Sequence, residues 1–306
     1  MLIEREALRT ERDGSSLSLI LAAPEAPRGI VQISHGMAEH KERYLPLMEY
    51  LAGKGYACVV HDMRGHGESA QNPEDLGYFG ENGVLALVDD LAQVAARARG
   101  RWPDIPLYLM GHSMGSLIAR AYIKRHPEPD GLILSGTPSY QAAVVPAGLL
   151  MDGIIRLRGE RHRSEFVNKL FFGRFNRGIK NPASAFAWLN TDVSAVDAYD
   201  QDPLCGFIFT LNGFKALRGL LIDVYSGKGW AKPEKNIPVL FISGSEDPCM
   251  SSREKLGAAA NLMRNVGYPH IKTVVFDGMR HEIMNEPGRS TVYETVLAFL
   301  AECERA

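Results

Sequence analysis

Gly111-His112-Ser113-Met114-Gly115 is the stretch of this chain whose residue types and spacing point most directly to chemistry. A serine hydroxyl is a poor nucleophile until a base removes its proton, so the segment matters only if an imidazole reaches it and a carboxylate orients that imidazole. The G-x-S-x-G pattern alone is weak, because a chain of this length would contain it by chance about one time in five. Its context is stronger: the apolar run Leu107–Met110 precedes it and a helix-like segment follows. This is the strand–turn–helix setting that holds a serine in a strained turn, with glycines on both sides because larger neighbours would crowd it.

In a site of this kind the chain order is serine, acid, histidine. His162, His270 and His281 follow Ser113 at some distance. His162 lies in the basic run Arg161-His162-Arg163 and reads as part of a solvated face, and His270 precedes the last apolar run, at its wrong end. His281 follows that run and is expected at the same sheet edge as Ser113. Asp247, just past the run Pro238–Ser243, is the expected acid. Glu246 is one residue off and points elsewhere, while Asp277 is too close to His281 to turn back easily onto the ring. A turn carboxylate capping the helix near Ser251 remains the other reading of Asp247. The oxyanion of a tetrahedral intermediate needs pre-aimed donors. Here they are the backbone N–H of Met114 and that of Met37, in the loop His35-Gly36-Met37.

These residues require a sheet to carry them. Short apolar runs alternate with helix-like segments, which predicts βα units and a mostly parallel sheet. The expected strands are Gly29–Ser34, Ala57–His61, Leu107–Met110, Gly131–Ser135, Pro238–Ser243 and Ile271–Phe276, preceded by a hairpin over residues 2–23 turning at Asp13-Gly14. Helices are expected over 84–99, stopping at Gly100, and over Met114–His126, Ser251–Val266 and Arg289–Cys303. Between Thr137 and Lys235 the alternation fails. Helix-like pieces there (Ala142–Leu157, Ser164–Phe172, Pro182–Leu189, Gly213–Tyr225) predict a helical cap, residues 138–235, inserted into a core made of 1–137 and 236–306.

The bulk composition narrows the partners. The 306 residues hold 34 Lys+Arg against 36 Asp+Glu, a net charge of −2, which gives no basis for a nucleic-acid partner. The first residues, MLIEREALRT, lack the apolar core of a secretory signal, and no apolar run reaches the roughly 18 residues that span a bilayer, so an intracellular, cytoplasmic setting is expected. The four cysteines, Cys58, Cys205, Cys249 and Cys303, form no C-x-x-C pair and read as reduced and buried. No metal or other cofactor is expected.

With these residues in order, the sequence resembles the monoacylglycerol lipase and lysophospholipase branch of the α/β-hydrolases, the serine aminopeptidase S33 type. The resemblance runs over nearly the whole chain. It rests on His35-Gly36-Met37-Ala38-Glu39-His40 with Arg43-Tyr44, on Asp62-Met63-Arg64-Gly65-His66-Gly67-Glu68-Ser69, on the serine pentapeptide and on Gly278-Met279-Arg280-His281-Glu282. It implies the α/β-hydrolase fold, hydrolysis of lipid esters carrying one acyl chain, and a mobile lid over an apolar acyl tunnel. It also implies that Glu39, Arg43 and His112 contact substrate at its polar end; bracing of the oxyanion loop is the other reading of Glu39 and Arg43. The loop at Asp62 and Gly65–Ser69 reads as structural.

In the inserted segment, Ala142–Ile155 is strongly apolar and is followed by Arg156, Arg158, Arg161 and Arg163, a pattern that suits transient contact with an anionic membrane surface or simple packing on the core. Phe166, Phe171, Phe172 and Phe175 read equally as cap core or acyl-pocket wall. Short-chain carboxylesterase, thioesterase or perhydrolase side activity would use the same machinery. Epoxide hydrolases and haloalkane dehalogenases place an aspartate where Ser113 stands, and a non-catalytic binding member of the fold would have lost a residue of the triad.

Overall fold

The computed structural model describes residues 1–142 and 144–305. Its centre is an eight-stranded sheet in the order β1-β2-β4-β3-β5-β6-β7-β8. The strands are β1 (Leu2–Arg9), β2 (Ser16–Ala23), β3 (Gly29–Ser34), β4 (Tyr56–His61), β5 (Leu107–His112), β6 (Gly131–Ser135), β7 (Val239–Gly244) and β8 (Ile271–Phe276). From β4 to β8 the pairing is parallel throughout, while β2 joins β4 antiparallel. The β1–β2 hairpin forms in the register Arg9↔Ser16, and Gly14 takes the positive φ of 72° that its turn needs.

Strands β3 to β7 are buried along their whole length because helices cover both faces. Alternate side chains go to opposite layers. Leu132, Leu134, Val239 and Phe241 pack with Leu117 of α3 (Met114–Ile123) and Leu91 of α2 (Gly83–Arg101). Ile133, Leu240 and Ile242 pack with Leu51 of α1 (Leu45–Ala52) and Phe299 of α9 (Arg289–Cys303). Helix α8 (Arg253–Asn265) connects β7 to β8.

The insertion between β6 and β7 carries α4 (Val144–Arg158), α5 (Glu165–Phe172), α6 (Val193–Gln201) and α7 (Leu211–Tyr225). Met151, Val167 and the buried face of α7 belong to the same apolar cluster as α2 and α3, so this part of the insertion has no separate core. Ser164 caps α5 by accepting Val167 N–H at 3.3 Å.

Several local expectations change. The helix expected over Pro182–Leu189 is a loop ending in one 3₁₀ turn, Ala187–Leu189. Asn176 organises it instead, donating to Ser184 O at 2.8 Å and accepting Trp188 N–H at 2.9 Å. Gly100 does not stop α2, which runs on to Arg101 and is capped at Trp102, whose φ of −129° and ψ of 77° leave the helical region. Helices α1 and α6 were not expected. Ala143, within the expected helix Ala142–Leu157, lies outside the described residues. Cys58, Cys205 and Cys249 are buried, Cys303 only half-buried, and none is in a disulfide. Among the described residues no helix is long and apolar enough to cross a membrane.

Candidate active site

The sheet order reverses between β3 and β5. Chain connections leave that point in opposite directions and open a crevice at the carboxyl ends of the strands. Ser113 sits there, on the step from β5 into α3, with φ 51° and ψ −119°. Non-glycine residues avoid this region unless their surroundings enforce it. Enforcement comes from close backbone packing. A Cβ on Gly115 would lie 2.1 Å from Ser34 O of β3, and one on Gly111 would lie 2.4 Å from Gly115 O. The glycines are therefore needed less to spare the serine than to let α3 start against the end of β3.

His281 and Asp247 arrive from the loops after β8 and β7. His281 Nδ1 and Asp247 Oδ1 are 2.9 Å apart, both groups being buried. The carboxylate also accepts Cys249 N–H at 2.8 Å and Ser243 Oγ–H at 3.0 Å. Burial works against its ionised form, but the facing imidazole and these donors hold its pKa below the usual carboxylate range. Burial likewise disfavours a charged His281, yet the Asp247 carboxylate draws its pKa well above the usual imidazole value. Capping the helix near Ser251 falls to Ser252, whose hydroxyl accepts Lys255 N–H.

The other candidates lie elsewhere. Asp277 and His270 are exposed, and Glu246 points outward, 3.7 Å from Arg280 Nε. His162 is half-buried in the insertion, where its carbonyl accepts Leu211 N–H.

His281 Nε2 faces the Cys249 thiol at 3.9 Å, and Ser113 and His281 line one cavity without a hydrogen bond between them. Catalytic contacts are often this loose before substrate binds. A neighbouring glycine, Gly136, makes room for the ring: a Cβ there would lie 2.9 Å from His281 Cε1.

The loop His35–Glu39 is tightly held. Gly36 N–H donates to Glu39 Oε1 at 2.5 Å, and Ala38 N–H to His66 Nε2 at 3.2 Å. Met63 N–H donates to His35 Nε2 at 2.9 Å. Burial pushes both imidazoles down to about 3, so they stay neutral and keep these acceptor nitrogens. Ser113 N–H is taken by Ser135 O at 2.9 Å. Among the described residues no acceptor faces the N–H of Met37 or of Met114, and both residues line the cavity.

Glu39 and Arg43 form a brace. Arg43 pairs with Glu39 at 2.8 Å and, through both terminal nitrogens, with Glu282 at 2.5 and 2.7 Å. Tyr44 O–H donates to Glu39 at 2.8 Å. The guanidinium thus ties the loop after β3 to the residue beside His281, and its carbon lies 4.8 Å from the centre of the Tyr199 ring in α6. Glu39 lines the cavity; Arg43 does not. Arg43→Met would leave two buried carboxylates without their cation and is expected to cost about 3–5 kcal/mol of stability, read from urea unfolding. A variant as stable as wild type would show the brace to be idle.

His112 also lines the cavity, its ring centre 4.7 Å from that of His281, and burial together with the His281 charge lowers its pKa to about 4. It faces the solvent-accessible cavity as a neutral hydrogen-bonding group. Trp188, whose ring centre is 5.0 Å from that of His281, and Cys249 were missed from sequence, although Cys249 stands two residues after Asp247. Trp188 lay inside the stretch misread as helix.

The cavity measures about 770 Å³, within the range of small-molecule sites. Phe171, Phe172, Phe175, Phe207, Leu217 and Leu221 supply apolar wall from the insertion, while Phe166 points away and is 61% exposed. One stretch of the insertion is stitched to the histidine loop: Glu282 N–H donates to Leu189 O at 2.8 Å, and Arg280 Nη1 to the Ala187 and Asn190 carbonyls at 2.8 Å each.

Comparison with known proteins agrees with this architecture. A family model described as "Serine aminopeptidase, S33" matches residues 25–288. A phospholipase of Bacillus subtilis, YtpA, is 33% identical over 282 residues, covering 90% of this chain and 96% of that protein. The monoacylglycerol lipase of Mycolicibacterium smegmatis is 27% identical over 280 residues, covering 90% of this chain and 88% of that one. Among solved structures, a thermostable carboxyl esterase from Bacillus coagulans, crystallised with glycerol, superimposes with a TM-score of 0.90 at 26% identity and covers 99% of both chains. The extent of these matches, together with the sheet order and the serine turn at its reversal, shows that this chain belongs to the serine aminopeptidase S33 family of α/β-hydrolases.

Proposed function

We propose that this chain is a serine hydrolase of lipid esters carrying a single acyl chain, a monoacylglycerol lipase or lysophospholipase, working through Ser113, His281 and Asp247. The observation that carries the reading is one cavity lined both by Ser113, His112, His281 and Glu39 and by a cluster of phenylalanine and leucine side chains. An ester bond belongs beside the polar groups and an acyl chain along the apolar ones. Ser113 Oγ attacks the carbonyl carbon while His281 Nε2 takes its proton, and Asp247 stabilises the imidazolium. The oxyanion is met by the N–H groups of Met37 and Met114. The alcohol leaves with the proton from His281; water then attacks the acyl carbon while giving a proton to His281, and the fatty acid is released as His281 returns that proton to Ser113 Oγ. Glu39 and His112 supply the polar end that orients the alcohol, and Arg43 keeps Glu39 in place.

Residues 138–235 act in this reading as a cap over the core of 1–137 and 236–306, with the anchored stretch Ala187–Asn190 as its fixed side. Val145, Leu149 and Leu157 of α4 and Phe166 and Leu170 of α5 are more than half exposed, and Arg156 and Arg158 stand beside them, an arrangement suited to transient contact with an anionic lipid surface. Arg161 and Arg163 serve differently, binding Asp75 and the carbonyls of Pro73, Glu74 and Leu76.

A series of p-nitrophenyl esters from acetate to palmitate, run beside monoacylglycerols, lysophospholipids and acyl thioesters, tests the substrate class. The expected result is kcat/KM that rises with chain length and is highest on single-chain lipids. Preference for acetate or for a thioester would replace this reading with the short-chain esterase or thioesterase one. The double substitution Leu149→Glu with Leu157→Glu is expected to reduce turnover of substrate presented on anionic vesicles by roughly 5–10-fold through lost apolar insertion. Turnover of dispersed esters should stay at the wild-type level; equal loss on both would argue against surface contact.

A further inference from the structure

We propose that His40, Asp202 and Cys205 form a binding site for a zinc-like divalent cation, outside the esterase machinery and independent of the substrate assigned to it. His40 lies on the loop after β3, whereas Asp202 and Cys205 lie in the turn that follows α6 in the insertion. His40 Nε2 is 2.8 Å from Asp202 Oδ2, and with the Cys205 sulfur the three donor atoms all fall within 4.8 Å of one another. Donors sharing one tetrahedral zinc ion lie about 3.2–3.6 Å apart, so small side-chain rotations bring this set onto a common centre.

The turn is built to present the donors together. Asp202 Oδ1 accepts Leu204 N–H at 2.8 Å, and Cys205 N–H donates to Asp202 O at 3.0 Å. This leaves the second carboxylate oxygen toward His40. An imidazole nitrogen, a carboxylate oxygen and a thiolate suit a borderline-soft cation rather than magnesium or calcium. His40 and Cys205 are each 8% exposed, and the Asp202 side chain is 30% exposed, which gives an entry path and room for a water as fourth ligand. Arg43, a cation whose charge acts on both Asp202 and Cys205, is already paired with both Glu39 and Glu282. Binding exchanges the thiol proton for the metal: the S–H bond breaks, an S–Zn bond forms, and one proton is released to solvent.

A second cluster, Asp247, Cys249 and His281, has comparable spacing, but it lies within the active site, where Asp247 Oδ1 is occupied by His281 and by Cys249 N–H. The His40 site instead clasps the insertion to the loop that carries Met37. Tyr199 O–H and Gly206 N–H, on either side of its donors, both end on Ala38 O, at 2.7 and 2.9 Å.

The test is equilibrium dialysis of the full chain against Zn²⁺ with metal quantified, paired with Co²⁺ titration to detect the sulfur-to-cobalt charge-transfer absorption. Wild type and Cys249→Ser are expected to bind one equivalent and to show the band. Cys205→Ser is expected to lose the band, and both it and His40→Gln to bind zinc roughly 10–100-fold more weakly. His40→Gln keeps the question answerable if Cys205→Ser fails to fold. No stoichiometric binding by wild type, or a band that survives Cys205→Ser or disappears in Cys249→Ser, overturns the proposal.

Discussion

Ser113→Ala is expected to lower kcat/KM for ester substrates by about four to six orders of magnitude, as losing the nucleophile does in other triad enzymes. What persists would be the contribution of the oxyanion donors and of substrate binding, which act without the hydroxyl. The fold should persist, because the strained turn is imposed by the contacts of Gly111 and Gly115 with each other and with β3 and not by the serine side chain. Labelling by a fluorophosphonate probe should disappear while far-ultraviolet circular dichroism and binding of a non-hydrolysable lipid stay as in wild type. Normal turnover or normal labelling in this variant would mean that the nucleophile is another residue. A folded wild-type chain that does not label would favour a non-catalytic member of the fold.

Asp247→Asn is expected to cost about four orders of magnitude in kcat, the effect seen when an imidazole loses its orienting carboxylate and adopts the wrong tautomer. The variant also makes a prediction about pH. His281 acts as base only when neutral, so activity falls as pH drops through its pKa, and Asp247 is what draws that pKa upward. Removing the charge lowers the pKa, so the acidic limb of the kcat/KM profile should move to lower pH even as the plateau collapses. Asp277→Asn and Glu246→Gln, altering outward-facing carboxylates, are expected to stay within several-fold of wild type with an unmoved limb. A crippled Asp277→Asn beside an active Asp247→Asn would reassign the acid.

Much of the positioning of these residues was legible in the chain itself. The runs Gly29–Ser34 and Gly131–Ser135 coincide with β3 and β6, because a strand covered on both faces leaves a largely apolar signature, and Ile271–Phe276 coincides with the edge strand β8, whose Lys272 and Thr273 are exposed. The loops that follow such strands open at one edge, which is why His281 could be chosen over His270, while Asp247 was preferred to its loop neighbour Glu246 on the direction expected of a side chain one residue away. Helices were less legible. Helix α1 is eight residues long with Pro46 in its first turn, too short for a clear period. The stretch Pro182–Leu189 has helix-compatible composition, but the Asn176 side chain takes over its backbone groups, a competition between side chain and main chain that no local pattern reveals. Gly100 failed as a stop because a glycine ends a helix only when the chain there needs a left-handed turn.

The sequence by itself determined the order of Ser113, Asp247 and His281 along the chain and the strand ends that carry them, since strand periodicity and glycine spacing are local properties written in neighbouring residues. Tertiary structure alone decided which groups meet across long separations. Arg43 reaches Glu282, 239 residues away, and His40 reaches Asp202, 162 residues away. Such pairs follow from the sheet order and from the path of the insertion over the crevice. Side-chain type says that a buried charge must find a partner, but only the packed chain says which one.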